Sequence, residues 1–176
     1  MNPVIVELFR LSDDVPVPAY GTSLSACFDL SFQPTGRYSI QGYDKWNNEI
    51  DRMCYSGSIE ILPGDRILVP TGLVMRIQES ARGIPFHSIR LHARSGMSLK
   101  QGLVLANAEG VVDVDYQKEI FVMLTNISAV PATIKTGDRI AQAEVVTNKI
   151  VLFQLVDKQP ESYSERDGGF GSTGHS

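Results

Sequence analysis

The sequence predicts an all-β fold, a jelly-roll-like β-barrel with one short helix. Its hydrophobic residues fall in many short, β-branched runs, a pattern that is typical of strands. Turn-forming residues separate these runs at short intervals, which favours a barrel or a sandwich. The 176 residues fit a single domain that is large enough to bury a core without disulfides.

The short apolar runs define the predicted strands in chain order. Turn signals lie between them at 63–65, 71–72, 82–83 and 137–138, where each turn contains a glycine. The predicted strands are Val4–Phe9, Ser58–Leu62, Ile67–Val69, Leu73–Ile77, Ser88–Leu91, Gly102–Leu105, Glu119–Leu124, Ala132–Ile134 and Ile140–Val146.

One segment is predicted to form the helix. Ser95 is a good N-cap residue, Gly96–Lys100 forms little more than one turn, and Gly102 ends it. A helix start that follows Arg94 favours a bound anion, because unpaired N–H groups and the helix dipole both attract negative charge. As a generic tripeptide, Arg-Ser-Gly is a weak signal, since most such triplets are turns.

Residues 33–57 form a polar segment that is unusually rich in aromatic residues. Tyr38, Tyr43, Trp46 and Tyr55 lie within it, and rings are depleted from disordered loops. The segment is therefore predicted to be a long, ordered excursion from the barrel. Its aromatic residues also predict a surface for a protein partner.

The composition argues against several function classes. A net charge of −4 gives no electrostatic footprint for nucleic acid or a membrane, so an anionic ligand is expected to be a small nucleotide with a metal ion. Cys27 and Cys54 are too few and too isolated for a disulfide framework or a zinc site. No basic leader precedes an apolar segment and no apolar run reaches about 18 residues, so the expected location is the cytoplasm, of the host if the source is viral.

The densest acidic cluster spans Asn107–Glu119. Read as a strand, it places Asp113 and Asp115 on one face and Val112 and Val114 on the other. One carboxylate would then act as a general base on a water while the other is a structural partner. The alternative interpretation is a solvated acidic turn.

The C-terminal run Glu161–Ser176 is rich in glycine and hydroxyl residues. Glycine lets a backbone turn its N–H groups toward phosphate oxygens, and Arg166, Ser172 and Thr173 would add further donors. Composition alone is typical of a disordered tail. Phe170 has no place in a solvated tail, however, and favours an anchor on a base, a sugar or a neighbouring subunit.

Five blocks of this sequence, in order, resemble the five motifs of the trimeric dUTP diphosphatase (dUTPase) family. They span nearly the whole chain, and five in order are far more specific than any one alone. The resemblance implies a homotrimer with shared active sites that hydrolyses dUTP to dUMP and pyrophosphate, keeping uracil out of DNA and supplying dUMP for thymidylate synthesis. The blocks are Ala26–Leu30, Arg94–Ser98, Gly110–Tyr116, Gly137–Gln142 and Arg166–Gly174.

The resemblance implies a role for each matching residue near the nucleoside. Asp113 would activate the water that attacks the α-phosphorus. Asn107 and Gly110 would lie at the uracil pocket, in a hairpin whose backbone reads the base and leaves no room for a 5-methyl group. Tyr116 would pack under the deoxyribose, where a 2′-hydroxyl would clash. Asp29 would hold waters around a Mg2+ ion that the triphosphate coordinates.

The resemblance also assigns residues to the phosphates and to a closing arm. Arg94, Ser95 and Gly96 of a neighbouring subunit would hold the phosphates, and Gln142 would contact the α-phosphate. A barrel domain of residues 1–157 would be followed by a flexible arm, 158–176, that closes over an active site. The arm would come from the third subunit, so each site would need three chains. In that arm Phe170 would stack on uracil, and the other expected contacts are Arg166, Gly171, Ser172 and Thr173.

The chain departs from the family pattern at three places. The last motif is one residue shorter between Arg166 and Phe170, so Arg166 lies nearer to Phe170 than the family pattern expects and farther from the position from which the family's arginine contacts the γ-phosphate. Cys27 replaces a usual glycine and is interpreted as a packing residue. The segment 33–57 lies where the family normally has a much shorter link.

Two alternatives compete with this interpretation. The homologous dCTP deaminases share the fold, but they need a glutamate in the strand after the third motif, and the comparable segment Phe121–Asn126 has no carboxylate. The second alternative is a dUTPase scaffold with an added partner-binding or regulatory role through 33–57.

Overall fold

The computed structural model of the protein describes residues 3–78 and 87–163, and their secondary structure is almost entirely β. The predicted turn at 82–83 and the arm residues from 164 onward lie outside the described residues. The described elements are β1 (Val6–Arg10), β2 (Phe28–Ser31), β3 (Ser39–Tyr43), β4 (Glu49–Met53), β5 (Ser58–Ile61), β6 (Arg66–Ile77), β7 (His87–His92), α1 (Ser95–Gln101), β8 (Leu103–Leu105), β9 (Gly110–Val112), β10 (Glu119–Asn126), β11 (Ala132–Lys135) and β12 (Arg139–Thr147).

The strands form three sheets in which each described pair is antiparallel. The largest sheet has the order β4-β3-β6-β10-β8, with β1 also paired to β6. The second sheet has the order β2-β12-β7-β9, and β11 pairs with β5. Since β8 belongs to the first sheet and β9 to the second, the short connection between them joins the two sheets. The predicted all-β class with a short helix is confirmed.

A single buried cluster lies among the sheets and draws on each of them. Leu30, Ile61, Ile67, Ile89 and Leu124 come from five different strands and are between 0% and 2% exposed. Burying a side chain of this size stabilises the fold by roughly 1.5–3 kcal/mol. No helix in the described ranges is long and apolar enough to cross a membrane.

The predicted turn at Thr71–Gly72 is wrong, because β6 runs through it as one twelve-residue strand. The glycine marks a β-bulge instead: the partner register along β10 shifts between Glu119 and Phe121, and Gly72 has a φ of +69°. Thr71 Oγ1 donates to the backbone oxygen of Ile120 at 2.7 Å across this gap. A β-bulge and a tight turn both favour glycine because it adopts a positive φ easily. The glycine was therefore identified correctly as a break in the regular strand, but it was interpreted as a turn.

The segment 33–57 contains the β3–β4 hairpin, which extends the largest sheet. Gly42 and Tyr43 pair with Ile67 and Arg66 of β6. A Cβ atom at Gly42 would lie 2.2 Å from the backbone oxygen of Arg66, so glycine is what lets β3 approach so closely. The hairpin is therefore a part of the sheet and not a separate loop.

Two arginines of this segment reach buried carboxylates of the barrel. Arg37 is ion-paired with Glu119, which is 8% exposed, and Arg52 with Asp65, which is 2% exposed. A carboxylate left buried without a partner destabilises a fold by about 3–5 kcal/mol. These two ion pairs therefore couple the segment 33–57 to the barrel.

The helix α1 begins one residue earlier than predicted. Arg94, and not Ser95, occupies the N-cap position with extended backbone angles, and its side chain makes no cap hydrogen bond. The side chain of Arg94 donates to Asp29 instead. Ser95 is the first helical residue. Gly102 ends the helix in a left-handed conformation, as predicted.

Candidate active site

A cavity of about 230 Å³ lies where β7, β9 and β10 come together. Three of the residues expected to bind substrate, Asn107, Gly110 and Tyr116, line it. The rest of the lining is apolar apart from main-chain atoms, which is the usual character of a pocket for an aromatic ring. These residues are Leu68, Leu91, Leu105, Val111, Val112, Ile120, Phe121 and Met123.

The connection between β8 and β9 forms the rim of this pocket. The Ala108 N–H donates to the oxygen of Leu105 at 3.1 Å, and Ala108 has a φ of +61°. Gly110 then pairs with Leu91 of β7, and a Cβ atom on Gly110 would lie 2.9 Å from that of Leu91. Glycine at this position thus allows β9 to close the pocket against β7.

Asp113 lies just outside the strand in which it was predicted. β9 ends at Val112, and a turn follows in which the Tyr116 N–H donates to the oxygen of Asp113 at 3.0 Å. The predicted alternation of faces still holds, because Val112 and Val114 are half-buried while Asp113 and Asp115 are exposed. The turn leaves the Asp113 carboxylate in solvent, directly after a residue that lines the pocket.

Tyr116 is fixed by its own hydroxyl group. The hydroxyl donates to the backbone oxygen of Glu119 at 2.8 Å, and the residue is 38% exposed. The ring therefore spans the turn between β9 and β10, with part of its surface open to the cavity.

A second set of candidate residues meets around Asp29 on β2. Its Oδ1 accepts from Arg94 Nε and its Oδ2 from a terminal nitrogen of Arg139, both at 2.9 Å. Arg94 also donates to the backbone oxygen of Arg139 at 3.2 Å. One carboxylate thus holds two guanidinium groups side by side. Sequence reasoning missed Arg139, although it lies inside the block Gly137–Gln142.

Gln142 on β12 lies between the strands that carry the other members of this set. It is opposite Asp29 on one side and His92 on the other, and its side-chain amide donates to the oxygen of Ala93 at 3.3 Å. We call Asp29, Arg94, Arg139 and Gln142 the arginine group. None of them lines this 230 Å³ cavity; Asp29 and Arg139 line a second cavity with Thr71 and Leu73.

The described residues offer no direct ligand set for a metal ion. No group of three His, Cys, Asp or Glu side chains among them is placed to hold one. Asp29 is already engaged by two arginines, but each of its oxygens keeps a further lone pair for a water molecule. This donor chemistry fits a hydrated ion that is bound through other oxygens.

The remaining predicted residues are placed as follows. Ser95 and Gly96 are exposed in the first turn of α1. Burial raises the pKa of the Cys27 thiol, with smaller contributions from Glu144 and Asp29, so the thiol stays protonated at neutral pH. Five predicted residues of the arm lie outside the described residues: Arg166, Phe170, Gly171, Ser172 and Thr173.

Comparison with known proteins points to one family. The family model described as dUTPase matches residues 52–174 of the chain. The deoxyuridine 5′-triphosphate nucleotidohydrolase of Hahella chejuensis is 35% identical over 165 residues, which cover 94% of this chain and 91% of that protein. The protein of the same name from a Wolbachia of Brugia malayi is 34% identical over 176 residues, with coverage of 98% and 96%.

Solved structures show the same fold. The dUTPase from Streptococcus mutans superposes with a TM-score of 0.58 at 25% identity, covering 87% of this chain and 98% of that one. A dUTPase of Staphylococcus bacteriophage 80alpha, solved as a mutant with dUpNHpp, gives a TM-score of 0.72 at 19% identity, with coverage of 97% and 99%. At that identity the second likeness concerns the fold alone.

The arginine group leads to a stability prediction. Asp29→Asn removes the charge that holds Arg94 and Arg139, so the free energy of unfolding should fall by roughly 1–3 kcal/mol. The matched control is Asp13→Asn, which removes a fully exposed partner of Arg10 and should change it by less than about 0.5 kcal/mol. Urea denaturation at fixed protein concentration measures both. Equal effects in the two variants would contradict a structural role for Asp29.

Proposed function

This chain belongs to the dUTPase family, and we propose that it is a dUTP diphosphatase that converts dUTP and water to dUMP and pyrophosphate. The observation that carries the proposal is the cavity that brings Asn107, Gly110 and Tyr116 together, with Asp113 directly after its wall. Its apolar lining and exposed polar rim suit a pyrimidine ring whose edge is read by main-chain groups.

The pocket supports selection for a deoxynucleoside. The close contact of Gly110 with Leu91 leaves little room beside the base, which is consistent with exclusion of a 5-methyl group. The Tyr116 ring would lie under the sugar and offer no hydrogen bond to a 2′-hydroxyl. Such an apolar surface rejects the extra oxygen by fit alone, so its position has to be rigid.

In the reaction, Asp113 would accept a proton from water as the water oxygen bonds to the α-phosphorus. The bond from that phosphorus to the oxygen bridging to the β-phosphorus breaks, and pyrophosphate leaves with the bonding electrons. The exposed position of Asp113 supports this role, since a water molecule can approach its carboxylate directly.

The arginine group supports a phosphate site together with Ser95 and Gly96. Two guanidinium groups with fixed positions suit a polyphosphate, because each presents a fork of donors to the oxygens. Asp29 would hold water around a Mg2+ ion that the triphosphate brings, and the bound ion would disperse charge that develops on the phosphates.

We further propose that the protein assembles as a homotrimer with shared active sites. Within one chain none of the four residues of the arginine group lines the nucleoside pocket, and a second copy would bring its own phosphate-binding groups to that pocket. The run of residues 150–156 is a second supporting observation: Leu152, Phe153 and Leu155 are at least 90% exposed in the single chain. An apolar run of this kind is typical of a surface that another chain covers.

The arm 158–176 is proposed to close over the site, with Phe170 on the base and Arg166 near the phosphates. That role, like the cytoplasmic location and the division at residue 157, stays a prediction.

We also propose that the hairpin is a surface for a protein partner, in addition to catalysis. Tyr38, Trp46 and Tyr55 are at least 71% exposed around it, and exposed rings of this kind are enriched at interfaces. At its tip, Lys45 Nζ lies 4.3 Å from the centre of the Trp46 ring.

The proposed reaction is tested by incubating the protein with dUTP and with dCTP in the presence of Mg2+. We expect pyrophosphate from dUTP and no ammonia from dCTP. Asp113→Asn should lower dUTP turnover by about 10²–10⁴-fold and keep binding of a non-hydrolysable dUTP analogue. Asp115→Asn is the matched control and should retain turnover within about tenfold. Ammonia from dCTP, or near-normal turnover by Asp113→Asn, would overturn the proposal.

The assembly is tested by light scattering, which should give the mass of three chains. Leu155→Glu places a charge in the exposed apolar run and should lower that mass. The control Leu24→Glu changes a side chain that is 94% exposed but stands outside the run, and it should leave the trimer intact. A trimer that survives Leu155→Glu unchanged would remove the run from the interface.

The partner surface is tested by replacing residues 44–48 with an Asn-Gly turn, which removes Trp46 and keeps Arg37 and Arg52. Turnover should stay within about tenfold of the parent, since none of residues 44–48 lines the pocket. Complete loss of turnover in a folded trimer would show instead that the tip belongs to the active site.

A further inference from the structure

One buried carboxylate, that of Glu119, connects the segment 33–57 to the nucleoside pocket. Its Oε1 accepts the Gly72 N–H at 2.8 Å and its other oxygen is ion-paired with Arg37. Its backbone oxygen accepts the Tyr116 hydroxyl at 2.8 Å. A single residue therefore links Arg37, the bulge of β6 and the ring that lines the pocket.

We infer that Arg37 is a positioning residue for sugar selection: it fixes Glu119, and Glu119 fixes the ring of Tyr116. The inference rests on the proposed function, because it concerns how the same pocket separates dUTP from UTP. Arg37 would touch neither the substrate nor the reacting atoms.

Arg37 is itself held in place on several sides. Its guanidinium donates to Thr35 Oγ1 and to the backbone oxygen of Pro34, at 2.5 and 3.2 Å. It also lies 5.6 Å from the ring centre of Phe121, a second residue of the pocket wall. Because these contacts fix the guanidinium, Glu119 meets a cation of set position and not a mobile surface charge.

The selection that the pocket can make depends on this rigidity. A ring that excludes a 2′-hydroxyl by shape loses its discrimination as soon as it can move aside. Without Arg37, the carboxylate of Glu119 would be buried with its charge unpaired, and the start of β10 would have to shift toward solvent. Tyr116 would then lose the fixed position of its hydrogen-bond acceptor.

The chain contains a matched pair for comparison. Arg52 also lies in the segment 33–57 and pairs with a buried carboxylate, Asp65, at 2.6 Å. Asp65 accepts the Leu62 N–H in addition, and neither Arg52 nor Asp65 lines the pocket. The two arginines thus share their stabilising chemistry, and only Arg37 is linked to Tyr116.

The experiment compares Arg37→Met with Arg52→Met in full-length protein, using kcat and KM for dUTP and for UTP. Arg37→Met should lower the ratio of kcat/KM for dUTP over UTP by about tenfold. Its kcat for dUTP should stay within about threefold, since Asp113 is unchanged. Arg52→Met should leave the dUTP/UTP ratio as it is in the parent. An equal loss in both variants would show general destabilisation and overturn the inference.

A rescue variant keeps the test decisive if Arg37→Met folds poorly. Glu119→Gln removes the buried charge while its amide oxygen can still accept the Gly72 N–H. Adding it to Arg37→Met should restore folding and, with it, most of the lost dUTP preference. A folded double variant that still fails to prefer dUTP supports a direct role for Arg37 and overturns the positioning role. If the parent protein does not hydrolyse dUTP, the proposed function fails; if the parent does and Arg37→Met keeps its preference, only this inference fails.

Discussion

The structure depends on how the barrel accommodates a carboxylate at the start of β10. Glu119 is buried, charged and placed opposite a bulge, and three separate parts of the chain supply its partners. Removing a carboxylate from water is unfavourable unless each oxygen has a partner of fixed geometry. The bulge at Gly72 provides a free N–H, and the segment 33–57 provides a guanidinium. The segment 33–57 therefore supplies a partner for a buried group of the barrel in addition to extending its largest sheet.

The pocket follows from a second constraint, the junction of two sheets. β8 pairs with β10 and β9 pairs with β7, so the residues between them have to cross from one sheet to the other. Gly110 allows the crossing to end in close contact with Leu91, and the turn after Val112 returns the chain to β10. The cavity lies in the angle of this crossing. The crossing positions the apolar side chains that line it, which suits a small planar ring.

The strands that sequence reasoning identified are those with β-branched, apolar runs, and their bounds were within a few residues. β2, which has four residues, was missed. β3 and β4 were missed because their residues are largely polar; they pair with each other, and β3 also pairs with β6. The pocket residues could be anticipated because they lie within one continuous block. Arg139 and Glu119 could not, because their roles depend on partners about 110 and 82 positions away in the sequence.

The arginine group shows how a chain with a net charge of −4 can still suit a polyanion. Global charge acts at long range and is screened within about 10 Å at ordinary salt, whereas binding depends on the donors at the site. Asp29 keeps two guanidinium groups together that would otherwise repel each other, and it holds them before any ligand arrives. The two guanidinium groups are thus already paired in the free protein, so a polyphosphate bound there, as we propose, would lose less entropy in ordering them. The Asp29 carboxylate weakens the local positive charge, but it fixes the relative positions of the two guanidinium groups. A ligand with several phosphate oxygens is then selected by the arrangement of these donors as well as by their charge.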